Sequence, residues 1–294
     1  MNPDSLDLSV ILVSYNACVL LEACLRSLTS SLADFSHEII LVDNASQDGT
    51  VEMVEQAFPE VRLIRNRENL GYPIANNQGI AAAGGEHVLL LNPDTEVLPG
   101  AFERLITELR DRPRAGAVAP ILRLPSGRIQ VSFGWSVGFL SELAKKLVLN
   151  RYLSRWAGRT KSPRKVGWLG GACLLIRSEV LEQVGGFDEM FFLYFEDIDL
   201  CYRIRELGFD LYLVPEGEIR HVGGAATSAL GLAGRFHYRR SQLRFYRKHA
   251  SPISRWCLKG YLRLNFWVLY LRGKIRRTGD LDMRKRFFSL LREQ

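Results

Sequence analysis

Between residues 8 and 112, short apolar runs alternate with longer amphipathic stretches. The apolar runs fall at Ser9–Val13, Glu38–Val42, Arg62–Arg65 and His87–Leu91. Brief runs rich in Val, Ile and Leu predict strands buried on both faces. Apolar residues three and four apart predict helices over Cys18–Leu32, Thr50–Phe58, Ile74–Ala83 and Gly100–Asp111. In the first of these, Leu20, Leu21, Cys24, Leu25 and Leu28 share that spacing. Gly84-Gly85 stops the third. Strands separated by helices of this length predict an α/β fold with a mostly parallel, doubly wound sheet.

Beyond residue 112 the pattern is less regular. Ser126–Lys165 is rich in Gly, Ser, Trp and basic residues, and predicts an irregular, mobile excursion. Trp168–Arg177 predicts a strand, Glu179–Val184 a short helix, Glu196–Leu207 a longer helix closed by Gly208, and Leu211–Val214 a further strand. From about residue 235 the pattern turns helical and basic.

In sheets of this kind ligands gather at the carboxyl ends of the strands. The polar clusters Ser14-Tyr15-Asn16, Asp43-Asn44 and Asn92-Pro93-Asp94 fall there. Asp43 ends its strand as an acid able to accept from a base N–H or a ribose hydroxyl. Asp48 and Thr50 after it read as caps of the next helix. Asp94 is a hard oxygen ligand suited to Mg²⁺ or Mn²⁺ on a diphosphate, although Asn-Pro-Asp is also ordinary turn chemistry. From Asp188 to Asp199 five acids are interleaved with aromatics. Asp197 sits at a helix start, where aromatic walls and like charges raise the basicity a general base needs. Glu196 and Asp199 read as caps or supporting groups. His221, before Gly223-Gly224, is a second ligand candidate for the ion at Asp94.

The chain has 294 residues, and its net charge of +7 is unevenly spread. Residues 235–294 carry 17 Lys/Arg against 3 Asp/Glu, net +14, and the preceding 234 carry 22 against 29, net −7. The basic segment therefore attracts phosphate-bearing partners while the body is acidic. Positive charge confined to a tail lacks the groove-reading context of a nucleic-acid binder, so no nucleic-acid partner is expected. Five cysteines without ligand spacing predict buried thiols in a reducing compartment. The apolar run after the acidic N-terminus is too short, and lacks the basic flank, for a signal peptide.

Seven stretches, in order, resemble glycosyltransferase family 2: VILVSYN (10–16), EIILVDNASQDGT (38–50), NLGYPIANNQGI (69–80), LLLNPDTEV (89–97), GWLGGACLLIRSEVL (167–181), GGFDEMFFLYFEDIDLCYRIRELG (185–208) and IRHVGG (219–224). The FFLYFEDIDLC and NPDT forms resemble the bacterial rhamnosyltransferase-like subgroup. The resemblance implies a GT-A fold, with a Rossmann-like sheet. It divides the chain into a catalytic domain over 1–234, with a nucleotide half at about 8–112 and an acceptor half at about 113–234, and a helical basic extension over 235–294. It implies an inverting enzyme that moves a sugar, rhamnose from dTDP-rhamnose or otherwise the sugar of a UDP-sugar, onto a glycan or polyprenyl-diphosphate-linked acceptor of cell-surface polysaccharide. The donor site would comprise Ser14, Tyr15, Asn16, Asp43, Asn44, Asn77, Asn92 and Asp94. Gly170, Gly171 and Glu196 would meet the acceptor, with Gly170-Gly171-Ala172 permitting close approach to the backbone. Asp197 would be the base, and Asp94 with His221 would hold Mg²⁺ or Mn²⁺. Asn92 departs from the family's DxD motif by losing one charge. A sugar-nucleotide nucleotidyltransferase is the alternative, but Ser14-Tyr15-Asn16-Ala17-Cys18 is not the Gly-rich phosphate loop that class uses.

Trp256–Leu271 is interrupted by Lys259 and Arg263, and falls short of the roughly 18–20 apolar residues a membrane span requires. It is expected to lie in a membrane surface, with Leu262, Phe266, Leu269 and Tyr270 toward lipid. That places the enzyme in the cytoplasm, peripheral on the inner face of the membrane, with a homodimer as an option. Ser254-Arg255-Trp256 lacks the Gln of the processive synthases' QxxRW motif, so one or a few sugars per acceptor are expected.

Overall fold

The computed structural model describes residues 6–144, 149–223 and 231–271. The first half is β1 (Leu8–Ser14), α1 (Cys18–Ser31), β2 (His37–Asp43), α2 (Thr50–Ala57), β3 (Arg62–Arg65), α3 (Tyr72–Ala82), β4 (His87–Leu91), β5 (Thr95–Val97) and α4 (Ala101–Arg110). Next come β6 (Ala115–Arg123), β7 (Ile129–Gln130), β8 (Phe133–Gly134), α5 (Phe139–Ala144), α6 (Asn150–Arg159), β9 (Arg164–Val166), β10 (Trp168–Leu169) and β11 (Cys173–Arg177). The chain continues through α7 (Ser178–Val184), α8 (Glu196–Glu206), β12 (Asp210–His221), α9 (Gly231–His249) and α10 (Pro252–Leu271).

The main sheet has the order β3-β2-β1-β4-β11-β6-β12-β5. Strands β1 to β4 are mutually parallel, while β11 and β5 run against their neighbours. The sheet is thus mostly parallel, as the alternating pattern predicts. From β1 the chain winds outward to β3, then returns to β1's other side as β4. That reversal opens a crevice at the carboxyl ends of β1 and β4.

The period-2 geometry of strands sorts the core into two layers. Leu8, Val10 and Leu12 of β1, with Leu89 and Leu91 of β4, face α1 and α4 through Leu21, Leu25, Leu28, Phe102 and Leu105. Ile11, Val88 and Leu90 face the opposite layer, which holds Val180 of α7, Leu200 and Ile204 of α8, and Phe245 of α9. α3 rests almost directly on β1: a Cβ at Gly79 would stand 2.5 Å from Ile11 Cγ2.

Several expectations require correction. Ser126–Lys165 is not irregular where described, since it contains β7, β8, α5, α6 and β9. Trp168–Arg177 is two strands: β10 pairs with β8 in a separate small sheet and β11 joins the main sheet, with Gly170–Ala172 between them. β12 does not stop at Val214. A register shift between Val214 and Glu218 absorbs the irregularity, and the strand runs on to His221.

The C-terminal helices share the core of the body. Leu243, Phe245 and Tyr246 of α9, and Leu258 and Leu262 of α10, are buried in the same apolar cluster as Leu200 and Ile204. Leu262, expected to face lipid, is 2% exposed and packs inward. The other three residues of that expected face, Phe266, Leu269 and Tyr270, have side chains outside the described set. Phe245→Ala is expected to lower the unfolding free energy by about 3–5 kcal/mol. Urea denaturation would show one transition shifted as a whole, and unchanged stability would mean that α9 is not part of the core.

Candidate active site

A cavity of about 650 Å³ opens at the crevice. Nine of the residues expected in the site line it: Tyr15, Asn44, Asn92, Asp94, Gly170, Gly171, Glu196, Asp197 and His221.

Asp94 and His221 are 127 positions apart and meet through sheet register. β5 pairs antiparallel with β12 so that Thr95 lies opposite His221. Val222 N donates to the Asp94 carbonyl at 2.9 Å. His221 Nε2 then stands 3.0 Å from Asp94 Oδ1, and both side chains are buried. Nδ1 lies 2.8 Å from Gln130 Oε1, delivered by the pairing of β7 with β6. In the tautomer whose Nδ1–H donates to Gln130, Nε2 faces the Asp94 carboxylate with its lone pair. A proton on Nε2 makes this contact a hydrogen bond, and the same two atoms without it offer two lone pairs to a cation. A histidine that gives its other N–H to an oxygen is typical metal-ligand chemistry. The pair therefore fits a divalent ion completed by water and phosphate oxygens, although no cluster of three or more ligating side chains exists among the described residues.

Asp197 occupies the first turn of α8. Its Oδ2 accepts from Gly171 N at 2.9 Å, and its Oδ1 accepts from Ile198 N at 2.8 Å. A Cβ at Gly171 would meet Asp197 Cβ at 3.2 Å, so the absence of a side chain is what lets this loop approach the acid. Tyr72, at the start of α3, donates from its hydroxyl to Asn92 Oδ1 at 3.1 Å. Burial, reinforced by the Glu196 and Asp197 charges, raises the Tyr72 pKa, so it stays a neutral donor. Glu196 is buried, and its Oε2 finds no partner among the described residues. Burial first, and then the Asp197 charge, push its carboxyl well above the usual carboxylate range.

The backbone entering α8 is strained. Tyr194 (φ +70°) and Phe195 (φ +67°) are both left-handed, a conformation that costs aromatic residues energy. α9 holds them there. Tyr238 packs edge-on against both rings, Ser241 Oγ donates to the Leu193 carbonyl at 2.8 Å, and His237 stacks on Phe192 at 4.5 Å.

Asp199 fastens the same helix from beneath. It is fully buried, and its carboxylate meets Arg203 Nε at 2.7 Å, Lys248 Nζ at 2.8 Å and His249 Nε2 at 2.7 Å. Burial alone would raise its pKa; the His249 and Lys248 hydrogen bonds, with Arg203, outweigh it and hold the group at about 2.

Four expected donor residues lie outside the cavity lining. Asn77 is spent on structure, exchanging hydrogen bonds with the Phe187 backbone and donating to Glu189. Asn16 (φ +51°) staples two loops, accepting from Gln47 N at 2.7 Å and donating its own N–H to Ser46 Oγ. Ser14 and Asp43 are opposite one another in the β1–β2 register and are fully buried. Asp43 Oδ2 accepts from Ser46 N at 3.0 Å, yet Asp43 Oδ1 and Ser14 Oγ have no partner among the described residues. Neither Asp48 nor Thr50 is the N-cap of α2, which is Gly49; Asp48 instead accepts from Thr50 N in the first turn of α2 and from Cys18 N at the start of α1.

Residues not anticipated also line the cavity, among them Tyr72, Gln130, Trp168, Tyr194 and Tyr238. Tyr72 follows Gly71 at a helix start facing the strand ends, which is a signal of a kind. Gln130 and Tyr238 carry none, because only β7–β6 pairing and helix docking bring them in.

Residues 9–185 match the family model for glycosyl transferase family 2. Over 92% of its length the chain is 33% identical to an N-acetylglucosaminyl-diphospho-decaprenol L-rhamnosyltransferase of Mycobacterium tuberculosis, covering 95% of that protein. It is 29% identical to the low-salt glycan biosynthesis hexosyltransferase Agl10 of Haloferax volcanii over 68% of this chain and 62% of that one. Among solved structures, the mannosyltransferase PcManGT of Pyrobaculum calidifontis, in complex with GDP-Man and Mn²⁺, superposes with a TM-score of 0.59 at 19% identity over 85% of this chain and 66% of that one. GalNAc-T7 with UDP, GalNAc and Mn²⁺ gives 0.58, also at 19%, over 75% and 44%. The two structures establish the shared GT-A fold. The chain belongs to glycosyl transferase family 2. It is a nucleotide-sugar glycosyltransferase, similar to the rhamnosyltransferases of that family.

Asp199→Asn is expected to cost about 3 kcal/mol at pH 7, because it removes the buried carboxylate on which Arg203, Lys248 and His249 Nε2 converge. A carboxyl with a depressed folded pKa stabilises above its unfolded pKa, and that stability fades as pH falls through the folded value. The gap from wild type should therefore close between about pH 4 and pH 2 in chemical denaturation. A gap independent of pH would show that Asp199 acts by packing alone.

Proposed function

We propose that the enzyme transfers L-rhamnose from dTDP-rhamnose, or failing that the sugar of a UDP-sugar, to a hydroxyl of a polyprenyl-diphosphate-linked sugar. The reaction belongs to cell-surface polysaccharide synthesis, on the inner face of the membrane. The near-full-length likeness to a rhamnosyltransferase that acts on a lipid-linked N-acetylglucosamine carries this proposal. Among the described residues no helix is long and apolar enough to cross a membrane, which is compatible with attachment to its surface.

The donor nucleotide lies across the carboxyl ends of β1 and β2. Tyr15 and Asn44, which line the cavity, face the nucleotide, with Ser14 and Asp43 buried beside them in the β1–β2 register and no partner among the described residues for Ser14 Oγ or Asp43 Oδ1. Asp94 and His221 would hold Mg²⁺ or Mn²⁺. When bound, the ion neutralises charge that develops on the leaving diphosphate. Asp197 takes the proton of the acceptor hydroxyl. The acceptor oxygen bonds to the anomeric carbon as the bond from that carbon to the diphosphate oxygen breaks, and the nucleoside diphosphate departs. A single displacement inverts the anomeric centre, with no covalent glycosyl-enzyme. The Gly171 amide keeps Asp197 aimed, and Glu196, biased toward its protonated form, donates to an acceptor oxygen.

Asp197→Asn is expected to lower kcat by about 10²–10⁴-fold with nucleotide-sugar affinity retained, as measured by initial rates and calorimetry. Wild-type turnover in that variant would remove Asp197 as the base. EDTA should abolish activity and added Mn²⁺ restore it. Asp94→Ala should weaken Mn²⁺ binding in the presence of nucleoside diphosphate, read by electron paramagnetic resonance. Undiminished Mn²⁺ binding in that variant would move the ion elsewhere.

A further inference from the structure

α10 turns one apolar face inward and another outward. Leu258 and Leu262 are buried against the body. On the opposite side Ile253 (77% exposed), Trp256 (77%), Leu264 (65%) and Trp267 (57%) form a stripe open to solvent. Their spacing, with Gly260 in the gap, repeats every three or four residues over the helix, so all four lie on one face. Arg263 is exposed and Lys259 half-exposed along the same edge. A contiguous apolar stripe of this kind on a folded surface marks an interaction site.

The charge around the stripe identifies the partner. Residues 231–271 carry nine Lys/Arg and no Asp/Glu. On α9, burial and the neighbouring Arg240 and Arg247 charges together lower the Arg244 pKa, so positive charge is crowded there. Exposed Trp beside Lys/Arg on a helix lying on the body is the composition of an interfacial helix on anionic lipid. A stable dimer buries roughly 800 Å² on each partner, more than four side chains on one helix supply. α9 also lines the cavity through Tyr238, and Phe139 N donates to Ser254 Oγ, so α10 is tied to the elements around the cavity.

We infer that the Ile253–Trp256–Leu264–Trp267 face docks the enzyme on an anionic lipid bilayer and presents its cavity to an acceptor held there. The inference rests on the lipid-linked acceptor proposed above and names the surface that reaches it. This face is not the one through Leu262 that periodicity predicted.

The test uses full-length protein with vesicles of phosphatidylglycerol and phosphatidylcholine, and with phosphatidylcholine alone. Wild type should sediment with the anionic vesicles and be released by salt. Ile253→Ser/Trp256→Ser/Leu264→Ser should bind at least about tenfold more weakly, because three exposed apolar side chains no longer enter the interface. Its thermal stability, and its transfer to a water-soluble acceptor, should match wild type. Lys259→Gln/Arg263→Gln should weaken binding only to the anionic vesicles. Wild type remaining in the supernatant with anionic vesicles, or the triple variant sedimenting like wild type, would overturn the inference. So would a dimer that the triple variant dissolves without any change in vesicle binding, which would assign the stripe to a second copy of the chain. Vesicle binding as expected, with no sugar transferred to any lipid-linked acceptor, would instead overturn the proposed function and leave the docking face standing.

Discussion

The site depends on one buried ion cluster. Asp199 has no solvent of its own and survives as an anion because Arg203, Lys248 and His249 converge on it. Two of those partners come from α9, so the cluster fastens α8 to a helix about fifty residues further along the chain. Two residues before Asp199 stands Asp197, and before that the left-handed Tyr194–Phe195 backbone. Strain of this kind persists only where surrounding structure over-determines it. Here the surroundings are α9's aromatic and hydrogen-bonding contacts above and its cations below. α9 therefore belongs to the architecture of the cavity as much as to any surface the enzyme meets.

The second determinant is register. Aspartate and histidine far apart in sequence come within hydrogen-bonding distance because β5, three residues long, pairs with the far end of β12. A slip of one residue would turn His221 to the other face of the sheet. Gln130 reaches the histidine by the same logic, through a two-residue strand. Very short strands at the sheet's edge thus position the groups proposed to hold the ion, and they do so without any cluster of ligands in the sequence.

What was legible follows from this division. The alternation of buried strands and amphipathic helices through β4 is a local pattern, and β3 and β4 end where their apolar runs end. Asp94, Asp197 and His221 line the cavity, and each sits at a strand or helix end within a motif. β5, β7 and β8 were not legible, because two or three residues carry no periodicity. Trp168–Arg177 looked continuous because apolar residues flank Gly170–Gly171 on both sides, and nothing local shows that the flanks join different sheets. Asn77 carries a related ambiguity: a polar residue inside a motif block serves ligand or loop equally well, and here it bonds the Phe187 backbone. Leu262 was assigned outward because a helix apolar on two faces has no single direction until its partner is known.

The reversed direction of β11 has a further consequence. Running against β4, it begins at the end of the sheet where β4 finishes, so the Gly170–Gly171 loop enters the crevice ahead of its strand rather than after it. The nucleotide side is complete by Val97, and the glycine loop arrives only after the chain has passed through β7, β8, α5, α6 and β9. The part of that stretch beyond β7 can therefore change in length and sequence without disturbing Asp43 or Asp94, while Gln130 of β7 stays tied to His221. Diversification of acceptors in such a scaffold would be a modular affair, with one fixed engine and one replaceable fitting.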